Sequence, residues 1–138
     1  MSEVTNGSVV RSFYEAITNR DAAVIAHLAE HVFAPDIRLV MPESLPYGGT
    51  VTGAATLGTM FTRMLGAPAP VGATKIVVAD IVDAGDLVAA RIEFDWYPPR
   101  GAEPVPSGAL ELWRFTGDRV TDIAAYYWDT AALVAACG

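Results

Sequence analysis

Apolar positions along the chain fall into two regimes. In the first half they recur at three- and four-residue spacing. In the second half they alternate. Val10, Phe13, Tyr14 and Ile17 form the buried stripe of one amphipathic helix. The polar break Thr18-Asn19-Arg20-Asp21 offers an N-cap for a second helix, which buries Ile25, Leu28, Ala29 and Val32 and stops before Pro35. Ile37, Leu39 and Met41 then share one face of a short strand. The segment Pro42 to Gly49 holds two prolines and a glycine pair, so it reads as a loop. Thr52 and Gly53 open a third helix whose stripe is Leu57, Met60, Phe61 and Met64.

Beyond a linker at 66–72 the period becomes two. Thr74–Val82, Leu87–Trp96, Ala109–Phe115 and Arg119–Trp128 read as strands. Asp83-Ala84-Gly85-Asp86 and Thr116-Gly117-Asp118 supply hairpin turns, while the connection from Tyr97 to Ser107 carries four prolines and reads as an exposed loop. Thr130 to Ala136 is a short helix or frayed tail. Helices followed by antiparallel strands predict an α+β fold of one domain, residues 1–138. The expected architecture is a curved antiparallel sheet wrapped around three helices, leaving a conical pocket suited to a small apolar ligand.

Composition narrows the partners. Hydrophobic residues are 52% and charged residues 18% of 138, which excludes a disordered segment and suits one domain. Sixteen acidic against nine basic residues give a net charge of −7. That field repels phosphate backbones and anionic lipid, so neither nucleic acid nor a membrane surface is an expected partner. Asp80, Asp83 and Asp86 interrupt the longest apolar stretch, and the first seven residues lack the basic and apolar regions of a signal peptide. With Cys137 the single cysteine, a cytoplasmic protein is expected. No phosphate loop, nucleophile elbow or dinucleotide fingerprint occurs, so no cofactor is expected. His27 and His31 have the i, i+4 spacing of metal ligands, but only Asp36 could join them, and they read as helix surface rather than a metal site.

Strand parity sorts the polar groups that carry chemistry. Arg91, Glu93 and Asp95 share one face of their strand, opposite Ile92, Phe94 and Trp96. Glu111 shares its face with Trp113 and Phe115, and a carboxylate between two large aromatics is expected inside. Burial raises a carboxylate's pKa toward neutrality, which suits a proton donor or base. Tyr14, Met41, Met60 and Met64 are expected to line the pocket, Glu43 to overhang its mouth, and Trp113 and Trp128 to form an aromatic wall with Tyr126.

Three segments carry a family resemblance. They are Arg11-Ser12-Phe13-Tyr14-Glu15-Ala16-Ile17 with Asp21, the Leu45-Pro46-Tyr47-Gly48-Gly49-Thr50 to Gly53 entry into the third helix, and Leu110-Glu111-Leu112-Trp113-Arg114-Phe115 with Gly117 and Val120. The ending Tyr126-Tyr127-Trp128-Asp129 adds to them. From Val10 to Leu133 the chain resembles the SnoaL-like branch of the nuclear transport factor 2-like superfamily, with ketosteroid isomerase and limonene epoxide hydrolase among its relatives. The resemblance puts Glu111 at the isomerase's hydrogen-bond-donating aspartic acid. It puts Phe13, beside Tyr14, at the isomerase tyrosine, and Met41 at its general base. Arg91-Ile92-Glu93 resembles the hydrolase's arginine–x–aspartate pair, and Tyr126 stands at that enzyme's second aspartate. With that resemblance Glu93 and Glu111 are the expected acid and base, Arg91 the group that stabilises a developing oxyanion, and Tyr126 a hydrogen-bond donor. The resemblance implies acid–base chemistry on a small apolar carbonyl compound: cyclisation, isomerisation or dehydration, with epoxide opening or non-catalytic ligand binding as alternatives. It also implies a homodimer through the outer face of the sheet, to which Ile92, Phe94, Trp96, Leu110 and Leu112 are expected to contribute.

Overall fold

The computed structural model describes residues 4–100 and 103–137. Its elements in chain order are α1 (Asn6–Thr18), α2 (Ala22–His31), β1 (Phe33–Met41), β2 (Gly49–Thr52), α3 (Ala54–Leu65), β3 (Gly72–Asp83), β4 (Leu87–Tyr97), β5 (Val105–Thr116), β6 (Arg119–Tyr127) and α4 (Thr130–Ala136). The six strands form one sheet in the order β2-β1-β6-β5-β4-β3. This is the expected α+β cone, with α1, α2 and α3 packed against the inner face of a curved sheet.

Two features differ from the sequence expectation. The sheet is mixed, because β1 runs parallel to β6 while every other pairing is antiparallel. The chain leaves β1 through β2, α3 and the β3–β6 meander before returning alongside it, and no hairpin could join that pair. An unexpected strand, β2, also lies between the predicted loop and the third helix, taking in Gly49 from the loop and Thr52 from the predicted helix start; its four residues are too few to show a period. β1 itself starts at Phe33 and runs through Pro35. Its register against β6 is broken between Phe33 and Arg38, so proline's missing N–H falls where no ladder bond is due. The expected loop at 97–107 includes 101 and 102, and the expected leader-free start includes 1–3. These residues lie outside those described.

Local chemistry sets where the helices begin. The Thr5 hydroxyl accepts the Ser8 N–H at 3.1 Å, and the Ser8 hydroxyl accepts the Thr5 N–H at 3.0 Å, a reciprocal cap on α1. Asp21 caps α2 by accepting the Val24 N–H. Gly53 leads into α3 with φ at +105°, backbone that a residue with a Cβ adopts only under strain. Just past its cap, α1 is fastened to two hairpins. The Asn6 amide donates to the carbonyls of Gly85 and Gly117, and the Gly7 N–H donates to Asp83. These ties fix the height of α1 above the sheet, and with it the position of Tyr14.

Inner-face residues of the sheet and the helix stripes make one continuous core, with Trp96, Trp113, Tyr14 and Phe33 almost fully enclosed. Each large apolar side chain buried there contributes about 1.5–3 kcal/mol. One backbone approach constrains the site directly. Gly48 closes the turn after β1, donating to the Leu45 carbonyl, and a Cβ on it would lie 1.9 Å from the carbonyl oxygen of Pro42. That oxygen already accepts the Leu45 N–H and cannot withdraw without opening the turn. Gly48→Ala is therefore expected to lower stability by about 1–3 kcal/mol, read as an earlier urea midpoint. An unchanged midpoint would contradict the close approach.

Candidate functional site

A cavity of about 240 Å³ lies between the sheet and the helices α1 and α3. Phe13, Tyr14 and Ile17 close it from α1, and Met60, Phe61 and Met64 close it from α3. Strand alternation decides what faces it from the sheet. On β4 the buried set is Val88, Ala90, Ile92, Phe94 and Trp96, and on β5 the inward set includes Ala109, Glu111, Trp113 and Phe115. Ladder pairing places Ala90 and Ala125 directly opposite Glu111 on its two neighbours, β4 and β6. Two methyl groups flank the carboxylate where larger side chains would fill the cone. Glu111 is half-buried and lines the cavity.

Glu111 is held by a relay from two elements. The Trp113 indole N–H donates to the Tyr14 hydroxyl at 3.0 Å, and Tyr14 donates its own hydrogen to a Glu111 carboxylate oxygen at 2.7 Å. Trp113 is positioned in turn by Phe13, whose ring meets it edge-on at 5.1 Å. Burial pushes the Glu111 pKa up from 4.5 to about 7, and the Tyr14 hydrogen bond offsets part of that rise. Burial also raises the Tyr14 hydroxyl well above its ordinary value, reinforced by the neighbouring carboxylate. At neutral pH the carboxyl group thus divides between its two forms, and it can take or return a proton without a large penalty.

A second relay stands in the same cavity. The Trp96 indole N–H donates to the Tyr47 hydroxyl at 2.7 Å, and Tyr47 shares a 3.0 Å hydrogen bond with Tyr127. Burial raises the pKa of both phenols, so both stay protonated at neutral pH. Among the described residues no Lys, Arg or His lines this cavity.

The expected site divides across the sheet. Glu111, Tyr14, Met41, Met60 and Met64 come together in the cavity. Arg91 and Glu93 do not. They lie on the outer face, more than half exposed, where Arg91 meets Asp80 at 2.7 Å and Glu93 at 3.7 Å. The parity argument grouped these residues correctly, but the apolar set of Ile92, Phe94 and Trp96 takes the inner face because its desolvation is favourable. Tyr126 and Trp128 point outward by the same alternation, and Trp128 is 86% exposed. Trp113 lies behind Tyr14 rather than forming a wall, and Glu43 sits exposed in the turn after β1. Ile92, Phe94 and Trp96 are enclosed in the cone, so they contribute nothing to the outer apolar face expected of them.

Tyr47, Trp96 and Tyr127 were missed as functional candidates. Tyr127 shares the inward parity of Ile123 and Ala125, a signal open to inspection, whereas Tyr47 sits on a turn that no period describes. A wider groove of about 560 Å³ runs between α2 and α3 over Ala29, Ala54 and Gly58, and its charged groups, Glu30 and Arg119, are exposed. His27 and His31 lie side by side on the exposed side of α2, their rings tilted with centroids 4.8 Å apart. Among the described residues no group of three His, Cys, Asp or Glu side chains is arranged around a metal position. Among the described residues no helix is long and apolar enough to cross a membrane.

A family model described as a SnoaL-like domain matches residues 10–123. No curated protein matches the chain. Solved structures share its fold over nearly their whole lengths. Bal32a, from a soil-derived mobile gene cassette, is 19% identical, covers 96% of each chain and superposes with a TM-score of 0.78. TerC, co-crystallised with polyporic acid, is 20% identical over 96% of this chain and 97% of its own, with a TM-score of 0.72. A protein provisionally named a SnoaL-like polyketide cyclase, from Jannaschia sp. CCS1, is 15% identical over 100% of this chain and 96% of its own, with a TM-score of 0.71.

The raised Glu111 pKa has a thermodynamic consequence. Between pH 4.5 and about 7 the folded protein keeps a proton on Glu111 that the unfolded chain has lost. The folded state therefore binds more protons there, and stability falls as pH rises through that window, by on the order of 3 kcal/mol in all. Glu111→Gln, nearly isosteric with the neutral acid, is expected to abolish that fall and to be more stable than the wild type at pH 8. Urea unfolding of both proteins across the window measures it. Parallel pH profiles would show that Glu111 is not desolvated.

Proposed function

The chain belongs to the SnoaL-like domain family, and from that premise we propose an enzyme that moves protons on a small, largely apolar carbonyl compound. The observation that carries this reading is Glu111, a lone carboxyl group of pKa about 7 inside an apolar cavity of about 240 Å³. Its ionised form takes a proton from carbon next to the substrate carbonyl, giving an enolate and a neutral acid. The same group then returns the proton at another carbon, which is isomerisation, or to a departing hydroxyl, which is dehydration. Attack of the enolate carbon on a second carbonyl of the same molecule closes a ring, and Glu111 protonates the resulting alkoxide. One carboxyl group acting first as base and then as acid replaces the expected pair, because Glu93 and Arg91 do not reach the cavity.

Tyr14 is a positioning residue in this scheme. Its hydrogen fixes one carboxylate oxygen and leaves the other to face the substrate. The Jannaschia protein's name and the TerC crystals with polyporic acid support a small organic substrate of this kind. An epoxide-opening reading loses support, since Arg91, Glu93 and Tyr126 all face outward. A binding role without catalysis draws support from Met41, which lines the cavity where related isomerases are expected to carry their base.

Proton exchange tests the reading without knowledge of the natural substrate. Small cyclic ketones in heavy water, followed by proton NMR, are expected to lose α-hydrogens faster with the protein present. The rate should rise with pH through an inflection near 7 as Glu111 ionises. Glu111→Gln should lower it by on the order of 100-fold or more. Tyr14→Phe should lower it less and move the inflection upward, because the lost hydrogen bond had favoured the charged form. Equal rates with wild type and Glu111→Gln would leave ligand binding alone.

The same family premise supports a homodimer through the outer face of the sheet. Val77, Leu110, Tyr126 and Trp128 are exposed there, and Leu110 lies between Arg91 and Tyr126 in the ladder. Light scattering at micromolar concentration is expected to return twice the monomer mass, and Leu110→Asp should return the monomer mass. A monomeric wild type would refute the pairing.

A further inference from the structure

We infer that Tyr47 and Tyr127 form a carbonyl-binding site in the cavity, which selects a neutral ligand carrying a ketone-type oxygen apart from the group that meets Glu111. The inference rests on the proton-transfer reading for the second contact and on hydrogen counting for the first. Two hydroxyl groups carry two hydrogens. The Tyr47 oxygen is already an acceptor for the Trp96 N–H, and the bond between Tyr47 and Tyr127 uses one of the two hydrogens, whichever phenol donates it. Among the described residues neither hydroxyl has another acceptor. One hydrogen is therefore left over on a pair of groups that both line the cavity.

A structural role accounts for part of this arrangement. The bonds to Trp96 and Tyr127 pin the turn that carries Tyr47 onto β4 and β6. Pinning leaves the second hydrogen without a protein acceptor, on hydroxyl groups that line the cavity. A ligand oxygen that enters the cavity can accept it.

The surroundings say which oxygen. No cation lines the cavity among the described residues, and Glu111 stands in it as an acid near its midpoint. An anionic ligand would be buried beside a carboxylate with no countercharge, which is strongly unfavourable. A neutral carbonyl accepts the hydrogen and keeps its charge at zero. Size adds a bound. A cavity of about 150 Å³ takes one benzene ring, so about 240 Å³ takes a bicyclic or substituted single ring.

Binding of α-tetralone against tetralin isolates the carbonyl from the rest of the ligand, with 1-naphthoate as the anionic control. Wild type should bind the ketone more tightly than the hydrocarbon, and should bind the naphthoate least. Each single variant, Tyr47→Phe or Tyr127→Phe, still leaves a free phenol hydrogen, so each should keep most of the ketone preference. Tyr47→Phe/Tyr127→Phe removes both phenol hydrogens and leaves only the Trp96 N–H, which is not among the groups lining the cavity; measured at about pH 9, where Glu111 donates nothing, it should reduce the preference by roughly tenfold. Glu111→Gln should keep the preference while losing proton exchange, so failure of this inference and failure of the proton-transfer reading are told apart. Should the double variant not fold, the infrared band of the bound ketone in wild type serves instead. At about pH 9 Glu111 is ionised and donates nothing, so a band shifted to lower frequency than in hydrocarbon solvent reports the phenols. An unshifted band, an unchanged preference in the double variant, or no preference in wild type overturns the inference.

Discussion

A carboxyl group turned into an apolar cone loses most of its water, and at Glu111 a single hydroxyl hydrogen stands in for what is lost. Much of the structure serves that one contact. Trp113 occupies the oxygen of Tyr14 from the far side, so the phenol's hydrogen has nowhere to go but the carboxylate. Asn6 and Gly7 fasten α1 to the two hairpins and so set Tyr14 at the right height. Ala90 and Ala125 keep the space beside the carboxylate clear. Larger residues at those two positions would fill the cone and improve packing, at the expense of the cavity.

The two indole–phenol relays solve different problems with the same parts. In one, an indole N–H directs a phenol toward a group that titrates. In the other, an indole N–H holds a phenol against a second phenol that stays neutral. Together they place a titratable carboxyl group and a pair of neutral phenols inside one apolar wall. Buried polar groups of this kind lower stability unless their partners are complete. The Glu111 site accepts that penalty where the proposed chemistry needs it, since a fully solvated carboxylate would titrate far below neutrality.

The outer face follows other rules. Its pairs, Arg91 with Asp80 and Glu93 and Arg38 with Asp122, are solvent-exposed and contribute little to stability. Arg91 lies beside exposed Leu110 in the ladder, and Leu110 beside exposed Tyr126. The same strands thus carry an apolar interior holding one titratable carboxyl group and a surface built of charge and apolar area. Alternation keeps the two from mixing.

The chain's pattern by itself determined most of the frame. Periods of three to four and of two located α1, α2, α3 and the four long strands, because local burial geometry writes itself into spacing. Parity and aromatic neighbours also marked Glu111 as inward, while the stripes on α1 and α3 marked Tyr14, Met60 and Met64. What parity could not say is which face of β4 is the inside. That depends on desolvation of the whole sheet against the helices, and it turned Ile92, Phe94 and Trp96 inward and Arg91 and Glu93 outward. The parallel pairing of β1 with β6 and the meeting of Tyr47, Trp96 and Tyr127 were likewise decided only by tertiary structure. Each joins residues far apart in the chain, and no local spacing records a contact that only the closed cone creates.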